Sequence, residues 1–304
     1  MTFKPVSVAD YEILKPFFCN HPYHLSIYSL ASLISWSYRT FKAYYAIEKG
    51  ILYIAGQSEE KPDTRHLILP ISRKKVFTPA ELRDVAVRLG FDRYWYAPGD
   101  YLDTLDRSAL ENCFVLEEQK EFEDYVYLAE ELTHLKGNRF SKKRNLIHQF
   151  SREYLWRDRI KVEEIVPENA EECLRFLEIW CEQHECSGED QENNLVCERN
   201  AIIITIKNMA RLESKGILIR IDGKVSAFGI GSRLNDTTAV LNFEKADSQI
   251  KGLYQFLDNE CAKRLFAGFQ YINKESDMNI PNLAESKQSY HPVLRVKSYA
   301  LGVR

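Results

Sequence analysis

The chain has 304 residues, of which 45% are hydrophobic and 28% charged, and its formal net charge is −3. This composition excludes an intrinsically disordered chain and a protein that is basic throughout and binds nucleic acid with its whole surface. No apolar run reaches about 18 residues and the N-terminus lacks an apolar segment, so we expect a cytoplasmic chain without a transmembrane segment. Seven scattered cysteines favour reduced thiols over disulfide bonds.

Four potential metal ligands lie close together in the sequence: Cys181, His184, Cys186 and Cys197. Their spacing matches no common zinc-ligand pattern, and the segment before Cys186 has helical periodicity. Buried thiols account for such cysteines without a metal. The sequence therefore predicts no metal site.

Each half of the chain contains the same order of predicted elements, namely three strands, a helix and a further strand. In the first half, Thr78, Pro79 and Glu81 form a helix start, with an N-cap residue, a proline in the first turn and a capping box. The five elements of this half are predicted at residues 43–47, 51–55, 67–71, 78–89 and 94–97.

In the second half, Asp222 and Gly223 separate two β-rich segments, which is a strong hairpin signal. The five elements of this half are predicted at residues 217–221, 224–232, 237–244, 250–267 and 269–273. Between the repeats, a strand and three helices are predicted at residues 120–128, 139–155, 167–186 and 190–213. We predict an α/β (α+β) fold with two tandem lobes, 1–125 and 126–304, each a mixed, mostly antiparallel sheet flanked by helices.

The junction between the third strand and the helix of the second lobe is a candidate phosphate site. Helix N-termini present unpaired N–H groups, a glycine allows close approach, and Lys251 adds positive charge. The turn resembles the acyl-CoA loop of the GNAT acetyltransferase superfamily, with Tyr254 in place of the last small residue. We predict that the cofactor is held by Gln249, Ile250, Lys251, Gly252, Leu253 and Tyr254. The alternative is an ordinary strand-to-helix turn, and the equivalent turn of the first lobe, 72–78, has no glycine.

The predicted helix at 139–155 carries positive charges beside its apolar face. At about 100° per residue, Lys143 falls inside the apolar arc of Phe140, Leu146, Ile147 and Phe150, and Arg144 falls at its edge. A lysine on such a face either extends its amine to solvent or meets an anion. We predict that Lys143, Arg144 and Asn145 bind phosphate, with a lysine that reaches solvent or a salt bridge as the alternative.

Two residues are candidates for acid–base chemistry. Strand alternation places Thr238, Val240, Asn242 and Glu244 on one face, so Glu244 ends its strand just before the phosphate turn. Glu244 is predicted to act as the base, with an ion pair to a lysine as the alternative. Lys287 and Tyr290 are three residues apart on a predicted helix, where Tyr290 would protonate a leaving group and Lys287 would bind phosphate.

Taken together, four segments resemble the C-terminal domain of phosphatidylglycerol lysyltransferases and its stand-alone relatives. They are residues 138–150, 222–231, 243–247 and 273–292. The resemblance implies two GNAT-like lobes joined by a basic helix, and membrane-bound members transfer lysine from lysyl-tRNA to a lipid headgroup. The positions that match the family's motifs are Lys143, Arg144, Glu244, Lys245, Lys287 and Tyr290. Of these, Lys245 is also predicted to bind substrate or phosphate.

The leading hypothesis is an acyl- or aminoacyl-transferase that takes its donor from acyl-CoA or aminoacyl-tRNA and delivers it to an amine or hydroxyl acceptor. Direct attack on the donor carbonyl requires no covalent enzyme intermediate and no metal. The alternatives are a non-catalytic protein that binds the phosphates of CoA or RNA, and a folded interaction protein without a small-molecule site.

Overall fold

The computed structural model of the protein describes residues 1–38, 41–58, 61–184 and 194–304. The helices and strands up to residue 118 are β1 (Lys4–Pro5), α1 (Tyr11–Phe18), α2 (Leu30–Trp36), β2 (Lys42–Glu48), β3 (Ile51–Gln57), β4 (His66–Leu67), β5 (Ile71–Ser72), α3 (Pro79–Leu89), β6 (Arg93–Pro98), α4 (Gly99–Leu102), α5 (Arg107–Cys113) and β7 (Phe114–Glu118).

The elements that follow begin with a strand and two helices, then repeat this order and end with one additional strand. They are β8 (Asp124–Leu128), α6 (Ala129–His134), α7 (Ser141–Glu153), β9 (Ile160–Glu164), α8 (Pro167–Gln183), α9 (Asn194–Lys207), β10 (Lys215–Ile221), β11 (Lys224–Arg233), β12 (Thr238–Ala246), α10 (Leu253–Arg264), β13 (Tyr271–Ser276), α11 (Pro281–Gln288), β14 (Leu294–Val296) and β15 (Ser298–Val303).

The described strands form two sheets, each flanked by helices, and this confirms the predicted α/β class. The first sheet has the order β1-β2-β3-β4-β6-β15-β7 with β5 beside β3, and the second has the order β14-β8-β13-β12-β11-β10-β9. In each sheet one parallel pair, β4 with β6 or β12 with β13, lies among antiparallel neighbours. The helix between the two parallel strands is α3 in the first lobe and α10 in the second, so the two lobes repeat the same topology.

The third strand of the first lobe differs from its prediction. Residues 67–71 were expected to be one strand, but β4 ends at Leu67 and β5 begins at Ile71. Pro70 lies between them and has no N–H group to donate to a neighbouring strand, which interrupts the ladder. Its carbonyl instead accepts a hydrogen bond from the buried Tyr23 hydroxyl (2.8 Å).

The two sheets exchange strands. The C-terminal strand β15 lies inside the first sheet, between β6 and β7, although residues 126–304 were predicted to form the second lobe. The strand β8 lies inside the second sheet, between β13 and β14. β8 follows β7, the edge strand of the first sheet, and β15 follows β14, the edge strand of the second sheet. Each of the two strands therefore lies inside the sheet of the other lobe. The predicted boundary at residue 125 falls within β8.

The helix α2 joins the lobes through three serines. Ser29 Oγ lies 3.0 Å from Ser232 Oγ, and Ser35 Oγ lies 2.7 Å from Thr205 Oγ1. Ser32 Oγ accepts a hydrogen bond from the Asn242 side-chain amide (2.8 Å). These contacts fix the orientation of α2 against the second sheet and define one wall of the space between the lobes.

The helices between the repeats are close to their predictions. The apolar arc of α7 packs on the core of the second lobe, where Phe140 and Phe150 are both buried. The helix predicted at 167–186 ends at Gln183, and the one predicted at 190–213 is described from Asn194 to Lys207. Cys186 lies outside the described residues, as does the rest of 185–193. Across the described ranges, no helix is long and apolar enough to cross a bilayer.

Candidate functional site

The N-terminus of α10, predicted to hold phosphate, is covered by α7. Gly252 precedes the helix with φ +84°, and a Cβ atom at this position would lie 2.4 Å from the Leu146 carbonyl oxygen and 3.1 Å from Phe150 Cβ. The absence of a side chain at Gly252 therefore admits the backbone of α7, and the predicted approach of a phosphate to this glycine stays a prediction.

The other residues of this turn have mixed surroundings. Gln249 and Lys251 are exposed, while Leu253 is fully buried. Ile250 and Tyr254 are half-buried and pack against the core of the second lobe. Burial raises the pKa of the Tyr254 hydroxyl above its ordinary value. A phosphate role for this turn stays a prediction, and only its two exposed residues are open to solvent.

The basic residues of α7 are divided between two surroundings. Lys143 Nζ lies 3.8 Å from the centroid of the Tyr290 ring, and burial lowers the pKa of Lys143 to about 8. The Arg144 guanidinium donates to the carbonyl oxygens of Leu135 and Gly137, and Asn145 is exposed. Lys143 thus meets the face of an aromatic ring. Arg144 holds the turn between α6 and α7, so phosphate binding by Lys143, Arg144 and Asn145 stays a prediction.

Glu244 lies on the opposite face of β12 from the one that alternation predicted. Ile230 pairs with Phe243 and the next residue, Gly231, pairs with Leu241, so Asn242 is an extra residue in β12. This β-bulge shifts the alternation by one position. Asn242 faces the first lobe and donates to Ser32, whereas Glu244 faces α10.

Glu244 belongs to a buried charged cluster. It forms an ion pair with a lysine, which was the alternative predicted for it. Lys274 Nζ lies 3.2 Å from Glu244 Oε2 and 2.7 Å from Asp258 Oδ1, and the second oxygen of each carboxyl group is buried without a partner. Burial raises the pKa of Glu244 to about 7, partly offset by the Lys274 ammonium. Burial alone would lower the pKa of Lys274, but the carboxyl groups of Asp258 and Glu244 raise it above its ordinary value.

The Tyr290 ring packs against this cluster. Two ammonium groups lie close to this ring, with Lys143 Nζ 3.8 Å and Lys274 Nζ 4.8 Å from the centroid. Burial raises the pKa of the Tyr290 hydroxyl well above its ordinary value, and the Asp258 carboxyl group raises it further. The structure therefore brings Glu244, Tyr290 and Lys143 together around Lys274, as a packed and largely neutralised group.

Lys245 is separated from Glu244 by strand alternation and faces the other side of the sheet. Its ammonium forms a salt bridge with Glu198 of α9 (2.7 Å) and lies 4.0 Å from the centroid of the Trp180 ring. Only 7% of its side chain is exposed. Lys245 thus fastens α8 and α9 to the sheet, and it lies apart from Lys143 and Lys287.

Lys287 points into the protein from α11. Its ammonium donates to three backbone carbonyl oxygens at the end of β13, those of Lys274, Glu275 (3.1 Å) and Ser276 (2.7 Å). Burial lowers the pKa of Lys287 below its ordinary value. An ammonium group has three donors, and these carbonyls take all three, so Lys287 has no donor left for the predicted phosphate.

A cavity of about 480 Å³ lies between the lobes, next to the end of β13. Its walls combine aromatic rings with polar side chains such as that of Lys61. The five aromatic residues all precede β8 in the chain: Trp36, Phe41, Trp95, Tyr96 and Phe122. Tyr96 has a positive φ of 57°, which is rare for a bulky residue and marks an irregular site in β6. Neither Glu244 nor Tyr290 lines this cavity.

Two carboxyl groups of the second lobe lie on the wall of the interlobe cavity, those of Asp124 and Glu275. Asp124 accepts hydrogen bonds from the Ser26 N–H (2.6 Å) and the Asn273 amide (2.8 Å). Burial raises the pKa of Glu275 to about 8, and the nearby Asp124 carboxyl group adds to this effect. Within the described part of the chain, Glu275 forms no salt bridge, but Lys61 lines the same cavity and the Lys287 ammonium group partly offsets the rise in the pKa of Glu275.

Four residues of these two clusters were not predicted: Asp124, Asp258, Lys274 and Glu275. Three of them have weak signals in the sequence. Lys274 and Glu275 belong to a polar run at the end of a buried strand, and Asp124 is a polar residue at the start of another buried strand. Asp258 lies within a helix whose buried stripe gives no reason to expect a carboxylate. Across the described ranges, no group of three or more potential metal ligands converges, and Cys186 of the predicted cysteine cluster lies outside those ranges.

Comparison with solved structures agrees with this architecture. A conserved protein of unknown function from Bacteroides thetaiotaomicron is 27% identical over 100% of both chains, with a TM-score of 0.88. The C-terminal domain of an Agrobacterium fabrum protein, predicted to be a lysylphosphatidylglycerol synthetase, is 14% identical, with 97% and 91% of the two chains covered and a TM-score of 0.65. A tandem GNAT protein from clavulanic acid biosynthesis is 8% identical, with 98% and 97% coverage and a TM-score of 0.49. A search of curated sequences finds no match.

The repeated topology defines the class of the protein as an α/β protein of two similar lobes. Residues 35–302 match the family described as "Phosphatidylglycerol lysyltransferase, C-terminal". The chain belongs to this family, and the predicted resemblance is confirmed.

Proposed function

We propose that this chain transfers an aminoacyl group from an activated ester, such as aminoacyl-tRNA, to an amine or hydroxyl acceptor. The observation that carries the proposal is the cavity between the lobes, with its aromatic walls and the acidic group of Glu275. Family membership supports an acyl- or aminoacyl-transferase in general. The proposal adds two statements to this general class: the donor is an aminoacyl ester, and the reaction takes place in the cavity between the lobes.

The chemistry of the cavity wall supports an acyl group with a positive charge. Aromatic faces attract ammonium groups, and a buried carboxyl group without a cation is stabilised when one arrives. An aminoacyl ester has an α-ammonium group close to its reactive carbonyl carbon. A volume of about 480 Å³ is within the ordinary range for small-molecule sites and holds such a group.

Acyl-CoA is the alternative donor. In the GNAT arrangement the diphosphate of CoA lies on the N-terminal turn of the helix that corresponds to α10. Here α7 packs against Gly252, while Lys251 of the same turn is exposed. The experiment therefore includes acyl-CoA beside the ester donor.

In the proposed reaction, the acceptor nitrogen or oxygen attacks the ester carbonyl carbon and forms a new amide or ester bond. The bond to the leaving hydroxyl oxygen breaks, and this oxygen gains a proton as the acceptor loses one. Glu244 and Tyr290 were predicted as base and acid. Because both lie in the Lys274 cluster, replacements that preserve shape, Glu244→Gln and Tyr290→Phe, test whether they exchange protons with substrate. A role in proton transfer predicts that kcat falls by about 10²–10⁴ without loss of folding.

The test uses the purified chain with aminoacyl-tRNA charged with labelled amino acids, and separately with labelled acyl-CoA. Acceptors are vesicles that contain phosphatidylglycerol, chosen because of the family, and small amines and alcohols. We expect label to move from aminoacyl-tRNA to an acceptor, and Glu275→Gln to lower kcat/KM at least tenfold. Glu111→Gln is the matched control, because Glu111 is exposed on α5, away from the cavity.

Three results would contradict the proposal in different ways. Transfer from acyl-CoA and not from aminoacyl-tRNA would show that acyl-CoA is the donor. Binding of aminoacyl-tRNA without transfer to any acceptor would favour the non-catalytic alternative. Equal activity of Glu275→Gln and Glu111→Gln would remove the interlobe cavity from the reaction.

A further inference from the structure

The strand β13 ends in an irregular turn that carries Glu275. The antiparallel register between β13 and β8 is regular up to Asn273 and is resumed only at Ser276. Glu275 has φ +58°, a conformation that a residue with a long side chain adopts only where surrounding contacts enforce it. This turn directs Glu275 to the cavity wall, whereas the preceding Lys274 lies in the charged cluster with Glu244.

Lys287 enforces this conformation from behind the turn. Its three hydrogen bonds go to consecutive carbonyl groups, those of Lys274, Glu275 and Ser276, which gather around one ammonium group. The Glu275 N–H donates to Asn273 Oδ1 (2.7 Å), which closes the turn from the other side. The backbone of Glu275 is therefore held on both sides, and its side chain is left to face the cavity.

The same arrangement commits the hydrogen-bond donors of Lys287 to the backbone. Its N–H groups donate to carbonyl oxygens, while its charge lowers the pKa of Glu275 against the opposite effects of burial and of the nearby Asp124 carboxyl group. Ser26 and Asn273 already donate to Asp124. Glu275 is therefore the acidic group that a cationic guest would meet among the described residues of this wall.

We propose that Lys287 is a positioning residue, which holds the 274–276 turn so that Glu275 binds the ammonium group of the substrate in the interlobe cavity. This inference rests on the proposed function for the nature of the guest, but it concerns a separate property, the selectivity for charge. It differs from a purely structural role, in which Lys287 would neutralise buried carbonyl groups and its loss would change stability alone.

The experiment measures binding directly, without a transfer assay. The probes are amino-acid amides, which carry an ammonium group, and their N-acetylated counterparts, which do not. Calorimetric titration of the unmodified chain should give at least tenfold tighter binding of the amides. At neutral pH this binding should release a proton, since the Glu275 carboxyl group ionises as the ammonium group arrives.

The variants separate positioning from folding. Lys287→Gln keeps two donors for the carbonyl groups and loses the charge and the third donor, while Lys287→Arg keeps the charge and several donors. We expect Glu275→Gln and Lys287→Gln to lose both the tenfold preference and the proton release, and Lys287→Arg to recover most of the preference. Lys263→Met, at an exposed lysine of α10, is the control and should bind as the unmodified chain does.

The outcomes are distinguishable from those of the transfer assay. If folded Lys287→Gln keeps the full preference for amides, Lys287 does not position Glu275 and the inference is overturned. It is also overturned if the unmodified chain binds amides and N-acetylated amides equally. If the preference and its loss are found but no transfer occurs, the inference stands and the proposed reaction fails. If Lys287→Gln does not fold, Lys287→Arg decides: recovery of stability without recovery of the preference contradicts the inference.

Discussion

The N-termini of α3 and α10 hold equivalent positions in the two lobes and are closed in different ways. In the first lobe, the Thr78 N–H donates to Glu81 Oε2 (2.9 Å) and the Glu81 N–H donates to Thr78 Oγ1 (3.3 Å), a complete capping box. In the second lobe, Gly252 has no capping side chain, and α7 lies against it. One turn is closed by its own side chains and the other by a neighbouring helix.

This difference shows why a glycine at a strand-to-helix junction is weak support for an anion site. A small residue is required wherever any backbone comes close, whether it belongs to a ligand or to the protein. At Gly252 the approaching backbone is that of Leu146. At this turn, the lobes therefore differ in how the helix N-terminus is packed.

The lobes also differ in what they bury. The core of the first lobe includes large tyrosines, such as Tyr28 and Tyr94, whose hydroxyl groups donate to backbone carbonyls. The second lobe buries Glu244, Asp258 and Lys274 in one cluster. Neutral hydroxyl groups are satisfied one at a time, whereas a buried charged cluster depends on every member.

The largest expected effect comes from breaking that cluster. Lys274→Met leaves two buried carboxyl groups without their cation, and we expect a loss of about 3–5 kcal/mol in the free energy of unfolding. Lys263→Met is the control, because its salt bridge with Glu260 is partly exposed and should be worth about 1 kcal/mol or less. Urea denaturation measures both. Similar losses in the two variants would mean that the cluster is not the polar centre of the second lobe.

The exchange of strands is tested by leucines on the two neighbouring C-terminal strands. Leu301 of β15 is fully buried in the first lobe, whereas Leu294 of β14 is 42% exposed at the edge of the second sheet. Leu301→Ala should cost about 2–5 kcal/mol, and Leu294→Ala clearly less. A larger loss from Leu294→Ala, measured by denaturant unfolding, would contradict the position of β15 inside the first sheet.

The packing of α7 on α10 is tested by two glycines with similar backbone angles. Gly252 and Gly90 have φ values of +84° and +72°, but a Cβ atom at Gly90 meets nothing within 4 Å. Gly90→Ala should therefore cost about 1 kcal/mol for its conformation alone. Gly252→Ala adds a collision with α7 and should cost about 2–4 kcal/mol. Equal changes in the unfolding midpoint would show that the turn is open.

A further expected effect is a change in the pH dependence of stability. Burial raises the pKa of Glu275 to about 8, above its ordinary value of 4.5. The stability that the protonated group contributes is complete below about pH 4.5 and is lost as pH rises to about 8, with a slope of at most about 1.4 kcal/mol per pH unit. Glu275→Gln should flatten the stability curve in this window. An unchanged slope between pH 5 and 8 would contradict a buried acid at the cavity.

Much of the fold follows from local signals in the sequence. The Asp222-Gly223 hairpin, the capping box at Thr78 and the apolar arc of α7 all require only neighbours in the chain. The hydrophobic period and the turn residues fix such elements without reference to the rest of the molecule. The family resemblance was likewise present in consecutive motifs.

The site was predicted less well, and the reasons are specific. The bulge at Asn242 reversed the expected face of Glu244, and a single extra residue leaves no signature in an alternating strand. Lys287 was predicted to bind phosphate, yet its three donors are used by carbonyl groups that only the turn at 274–276 brings together.

The sequence by itself determined that the chain has two similar α/β lobes, where α3 begins, and which residues of α7 enter the core. Only the tertiary structure decided that α7 packs against Gly252, that β8 and β15 change places between the sheets, and that Glu275 faces a cavity between the lobes. Helices and turns form through contacts between near neighbours, which composition and spacing record. These three features depend on contacts between distant parts of the chain, where burial and charge are set by whichever segments happen to meet.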